Sequence, residues 1–354
     1  MLRVIALLGL MLAACTGPAG ARDGGGHDAG SDMWSDGDSS TPTDGAPPDM
    51  APSPGEEFVG PARLSETGLY ADLAAGTIAD GVMPYDVRFE LWSDGAAKRR
   101  WLALPAGSRI DTRNPDRWVF PIGTRAWKEF TVGAVRVETR YLVKVAEGRW
   151  ENVAFLWRVD ETDADARPDG LLDAHGTPHD VPAISGCFDC HRGASDGLIG
   201  VGALQLATGA PAELLARLES AGLLTDSIVP RPSIPGTPIE QSALGYLHAN
   251  CGHCHSDVHP LGRFRTMRLQ LPLGLVDPRN APAFTTTVGV TMGHTVGATT
   301  LGVVAGDPAA SQLWARMQLR SDPYQMPPRG TEVADVDGIA LVRAWIEGLT
   351  PPPP

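Results

Sequence analysis

The chain predicts an α+β fold: an antiparallel, sandwich-like β domain followed by a mostly helical region. Between residues 61 and 185, KRRWLALP, AWKEFTV, VRVETRYLVKV and WENVAFLWRV are short, aromatic and β-branched, and often alternate apolar with polar positions. Turn chemistry such as Pro-Ala-Gly and Asn-Pro-Asp separates them. Towards the C-terminus the apolar period lengthens to that of a helix, as in VADVDGIALVRAWIEGL at 333–349.

Taken in order, residues 1–15, MLRVIALLGLMLAAC, carry Arg3, an apolar run from Val4 to Ala14, and Cys15. The run is too short to cross a bilayer as a helix and has the length of a signal-peptide core. Leu12-Ala13-Ala14-Cys15 resembles a bacterial lipobox, which implies lipidation of Cys15; a plain secretory signal is the alternative. Both readings export the chain. Thr16 rather than Asp after the cysteine leans towards a lipid anchor at the periplasmic face of the outer membrane.

Residues 16–60 are Gly, Asp, Ser, Pro and Ala with almost no aliphatics, a composition that predicts a disordered tether. It holds nine acidic residues and one basic, a net of −8 out of the chain's −13. The body from 61 onward is therefore mildly acidic, with no basic footprint for nucleic acid. Within 61–185, VRFELWSD and RWVFP read as further strands, and Lys98-Arg99-Arg100 as a solvated edge or inter-domain contact. Six of the nine tryptophans lie here, which fits a Trp-rich core more readily than a carbohydrate platform.

Four of the five cysteines form two identical patterns, Cys187-Phe188-Asp189-Cys190-His191 and Cys251-Gly252-His253-Cys254-His255. In an exported chain four cysteines would suggest two disulfides, but bridges have no reason to require CxxC followed by His, twice. Zinc could use two CxxC pairs, although sixty residues separate them and zinc gives no role to the histidines. Thiol–disulfide chemistry needs CxxC opening a helix after a strand, and neither preceding segment reads that way. Covalent haem explains every feature. Two thiols add across the vinyl groups of one porphyrin, and the next residue, His191 or His255, falls beneath the iron.

The second motif has a legible surrounding. Residues 238–250 read as a helix with Pro238 in its first turn, and Asp307-Pro308 as the start of another. A Met326-Pro327-Pro328 loop and the helix at 333–349 follow, with Ile339, Val342, Ile346 and Leu349 on one stripe. This order resembles a class I cytochrome c domain over 237–350. The resemblance implies that Met326 is the sixth iron ligand, a soft thioether held in a proline-stiffened loop. The long 260–305 stretch departs from that pattern and is expected to extend over the haem edge.

The first motif, in the segment 186–236, is less complete. No Met or His occurs between Arg192 and Leu247, although a helix is expected at about 211–223. A sixth ligand would come from His175, His179, His248, His259, Met292 or His294, or the iron stays open. His253, inside its motif, is expected to point outward.

From about Leu64 to the end, the stretches LSETGLYADL, YDVRFELWSDGAAKRRWLALP, FPIGTRAWKEF, CFDCH, HANCGHCH and QMPPRG resemble a family of bacterial di-haem c-type cytochromes. That resemblance implies two covalently bound haem c groups, electron transfer, and periplasmic redox partner proteins. A haem enzyme or ligand sensor with an open first haem, or a substrate-binding β domain with accessory haems, remain the alternatives. No Ser-His-Asp set, carboxylate pair or phosphate loop stands out in the front half.

Overall fold

The alternation of the front half becomes a six-stranded antiparallel meander. A hairpin of β1 (Tyr70–Asp72) and β2 (Thr77–Ile78) precedes it. The meander then runs β3 (Val82–Pro84), β4 (Ala97–Ala103), β5 (Arg125–Val132), β6 (Val135–Ala146), β7 (Arg149–Trp157) and β8 (Ala164–Ala166), each beside the next. This computed structural model describes residues 60–210, 213–260, 262, 266–297 and 299–350. Cys15 and nearly all of the 16–60 segment lie outside the described residues.

Register places Trp101, Trp127, Tyr141 and Val153 side by side. They join Phe155 and Trp157 in a core closed by Leu64 and Leu69. The opposite face presents Leu102, Ala126, Leu142 and Trp150, packed on Leu206, Leu214, Leu215 and Leu218. The sheet is thus buried on both faces, but by a strand-poor N-terminal segment and by helices. The sandwich-like expectation gives way to one large sheet, because alternation says which side is buried and not what covers it. The tryptophans at 101, 118, 127, 150 and 157 are core residues. VRFELWSD forms no strand: Phe89 N–H donates to Gln205 Oε1 at 3.0 Å, and Trp92 N–H to Asn250 Oδ1 at 2.7 Å.

The helices are α1 (Ile184–His191), α2 (Ala203–Leu206), α3 (Leu214–Ser220), α4 (Pro238–Asn250), α5 (Pro282–Thr285), α6 (Gln312–Met317) and α7 (Val336–Gly348). A hairpin of β9 (Thr291–Val296) and β10 (Thr299–Leu301) separates α5 from α6. Thr237 and Glu240 form a reciprocal capping box that starts α4, with Pro238 in its first turn. Asp335 caps α7 through the Gly338 N–H. α6 begins four residues later than expected, with Ser311 rather than Asp307 at its N-cap; Asp307 instead accepts from the Ala310 N–H in a preceding turn.

α4 packs against α7. Leu244, Leu247, Val342, Trp345 and Ile346 share a core with Leu269, Leu271, Leu313 and Met317. The crossing depends on Gly338, where a Cβ would lie 2.3 Å from the Tyr246 hydroxyl oxygen. Leu269, Leu271, Ala283 and Val303 of the long 260–305 stretch belong to the same core.

Candidate functional site

α1 carries the whole first motif. Phe188 is buried and anchors the helix, while Cys187 Sγ turns back to the Ala183 carbonyl at 3.6 Å. The chain then loops so that the Gly197 carbonyl meets His191 Nδ1 at 2.7 Å. A carbonyl only accepts, so Nδ1 carries the proton and Nε2 keeps its lone pair. A metal-binding imidazole needs that tautomer, oriented by that kind of contact.

The second motif follows directly from α4. Cys251 caps the helix, the His255 N–H donates to the Cys251 carbonyl at 2.8 Å, and the His255 carbonyl accepts from Leu269 N–H at 2.8 Å. The motif is thereby a tight turn stitched to the helical core.

The two motifs meet. Ligand atoms of Cys190, His253 and Cys254 all lie within 4.8 Å of one another. His259 Nε2 donates to the Asp189 carbonyl at 3.1 Å, and Ser256 Oγ lies 3.4 Å from the Gly193 carbonyl. His253 therefore turns towards Cys190 rather than outward, because the two motifs pack against each other. Arg329, from the Met326 loop, pairs with Asp189 at 3.1 Å, which brings that loop to the same junction.

Met326 and Cys251 line one cleft, with Tyr246, Asn250, Met317 and Arg320 among its walls. The cleft holds about 10 Å³, room for one water. Seating a porphyrin between Cys251 and Met326 therefore requires the loop around Met326 to move outward. A larger cavity of about 600 Å³ lies between loop 114–118, the chain after the first motif, and the His248–His253 turn.

The candidates for a sixth ligand to the first motif separate by their contacts. His175 Nε2 bonds the Trp157 carbonyl at 2.8 Å, and His179 Nε2 bonds Glu138 Oε1 at 2.7 Å. Met292 and His294 sit on the β9 hairpin, where His294 is exposed. His248 faces the larger cavity, but its Nδ1 accepts from the Leu271 N–H at 3.0 Å. Its neutral tautomer then carries the proton on Nε2, which makes His248 a hydrogen-bond donor into the cavity rather than an iron ligand.

The thiols differ in character. Burial pushes Cys187 up to about 11 and Cys251 up to about 12, so both are protonated at neutral pH. The hydrogen bond with the Cys254 thiol, reinforced by His253, draws Cys190 far below the usual thiol range. Burial lowers His191 and takes His248 down to about 4, so both rings are neutral near pH 7.

Comparison with protein-family models, with curated proteins and with solved structures finds no match to this chain.

Proposed function

We propose that the chain is an exported di-haem c-type cytochrome that transfers electrons to and from periplasmic redox proteins, anchored through lipid on Cys15. The observation that carries this reading is His191. It follows its CxxC directly, and its Nδ1–H is committed to the Gly197 carbonyl, so Nε2 is left as a ligand. Cys187 and Cys190 would hold the first haem and Cys251 and Cys254 the second, and His255 and Met326 would serve as iron ligands of the second. Haem supplies reversible one-electron chemistry at iron. The chain's part is to attach and orient: α1 presents the first set of ligands, the turn after α4 the second, and the Met326 loop closes over Cys251. The α4–α7 pair supports the cytochrome c-like character of 237–350, and the neutral Nε2–H of His248 supplies a donor beside the larger cavity. Among the described residues no helix is long and apolar enough to cross a membrane.

A second reading is a soft-metal centre at Cys190, His253 and Cys254. Two sulfurs and an imidazole converge there, and among the described residues His253 Nδ1 is buried with no hydrogen-bond partner. Thioether bonds to haem would consume both thiols, so the two readings exclude each other. A reduced absorption spectrum of matured protein, recorded with and without CO and normalised to chain concentration, separates them. Haem absorbance corresponding to two haems per chain is expected. A haem-free chain carrying one zinc or copper ion would favour the second reading. A CO-responsive haem would mean one open iron, and would turn attention to His248 and ligand chemistry.

A further inference from the structure

The inner face of the sheet carries charge where a core would ordinarily be apolar. Register aligns Arg100, Lys128 and Arg140 across β4, β5 and β6, with Lys98, Phe130 and Glu138 in the next row. These rows continue the face that holds Leu102, Ala126 and Leu142. The side chains of Lys98 and Arg100 are 5% exposed, so the basic run is not a solvated edge: two of its three members point inward.

The charges do not balance. Four cations, Lys98, Arg100, Lys128 and Arg140, face two carboxylates. Glu90 takes Arg100 at 2.7 Å and Lys98 at 3.4 Å, and Glu138 takes Arg140 at 2.6 Å and His179 at 2.7 Å. Among the described residues no carboxylate reaches Lys128, whose ammonium rests over the Phe130 ring at 5.0 Å. The Arg140 guanidinium stacks on the same ring at 4.4 Å. Burial and three neighbouring cations hold Lys128 well below the usual lysine range. A half-buried ammonium kept beside like charges is costly unless an anion joins it.

The first motif lies beside this face. α1 packs on β7, Arg140 feels Cys187 and Cys190, and His191 feels Lys128. We propose that Arg100, Lys128 and Arg140 form an anion site that takes a pair of carboxylates beside the first motif. Each guanidinium has five N–H donors, more than Glu90 and Glu138 occupy, and Lys128 supplies the unspent charge. Two sources carry that chemistry: the acid side chains of a group attached at Cys187 and Cys190, which rests on the cytochrome reading above, or a free dicarboxylate.

The test uses matured full-length protein with its haem content measured first, comparing the native chain with Lys128→Met and Lys128→Arg. Removing a cation from beside attached carboxylates makes reduction harder. One of the two waves in a redox titration should therefore move to lower potential in Lys128→Met and return in Lys128→Arg. A parallel arm adds succinate and reads the thermal midpoint. A succinate-dependent rise that Lys128→Met abolishes, with both waves fixed, assigns the site to a free dicarboxylate. If the chain carries no haem the cytochrome reading fails, and the succinate arm alone decides the anion site. Unmoved waves and no Lys128-dependent succinate effect overturn the proposal, as does a Lys128→Met chain that is merely more stable.

Discussion

Gly193, just after the first motif, lies directly against the backbone carbonyl of His253 in the second: a Cβ built on it would stand 1.6 Å from that oxygen. The contact is backbone on backbone, so no rotamer change relieves it. Gly193→Ala should therefore push the motifs apart and cost about 3 kcal/mol. Gly186 in α1 is the control, since a Cβ there meets nothing within 4 Å. Gly186→Ala should be neutral or stabilise by about 0.5–1 kcal/mol, read by chemical unfolding.

Lys144 ties the sheet to the loop that orients His191. Its ammonium reaches Asp196 at 2.7 Å and the Phe120 carbonyl at 2.7 Å, with side chains 1% and 6% exposed. Lys144→Met leaves a buried carboxylate uncompensated and should cost about 3–5 kcal/mol. Adding Asp196→Leu should recover part of that loss, because the orphaned charge is gone. A double-mutant cycle in urea measures the coupling, expected at about 1 kcal/mol or more.

His248 should make stability pH-dependent. Burial takes its folded value down to about 4 from 6.5, so between those limits the unfolded chain binds more protons than the folded one. Stability is full above about pH 6.5 and is lost as pH falls towards 4, by up to roughly 3 kcal/mol. His248→Leu should flatten that part of the profile relative to the native chain, measured by unfolding at pH 4.5 and pH 7.

Met326→Ala tests the loop. On the proposed cytochrome reading, loss of the thioether should lower the potential of a haem held at Cys251 and Cys254 and let it bind CO or cyanide, while the fold survives, since Met326 is only half-buried. An unchanged redox titration would remove Met326 from the ligand set.

Local chemistry made much of this legible. Thr237, Pro238 and Glu240 announce α4, the stripe from Ile339 to Leu349 announces α7, and period-two runs announce β4 to β7. The meeting of Cys190 with His253 and Cys254 was not legible, because it joins residues more than sixty positions apart through packing that no local pattern encodes. The inward direction of Lys98 and Arg100 escapes the sequence for a related reason: a charged residue on a strand reads as outward until its partner, here Glu90, is known. VRFELWSD has strand composition, yet hydrogen bonds to Gln205 and Asn250 hold it outside any ladder. Asp189 gave no sequence signal at all, although its backbone and carboxylate join both motifs to the Met326 loop.

The measurement to make first is the mass of the denatured, matured chain, alongside Cys187→Ser and Cys251→Ser variants. Two covalent haems in the native protein, falling to one well-attached haem in each variant, is the expected result. A native chain with no added haem mass, and one metal ion per chain that depends on Cys190 and Cys254 but not on Cys187 or Cys251, would contradict the cytochrome reading and leave the Cys190–His253–Cys254 centre in its place.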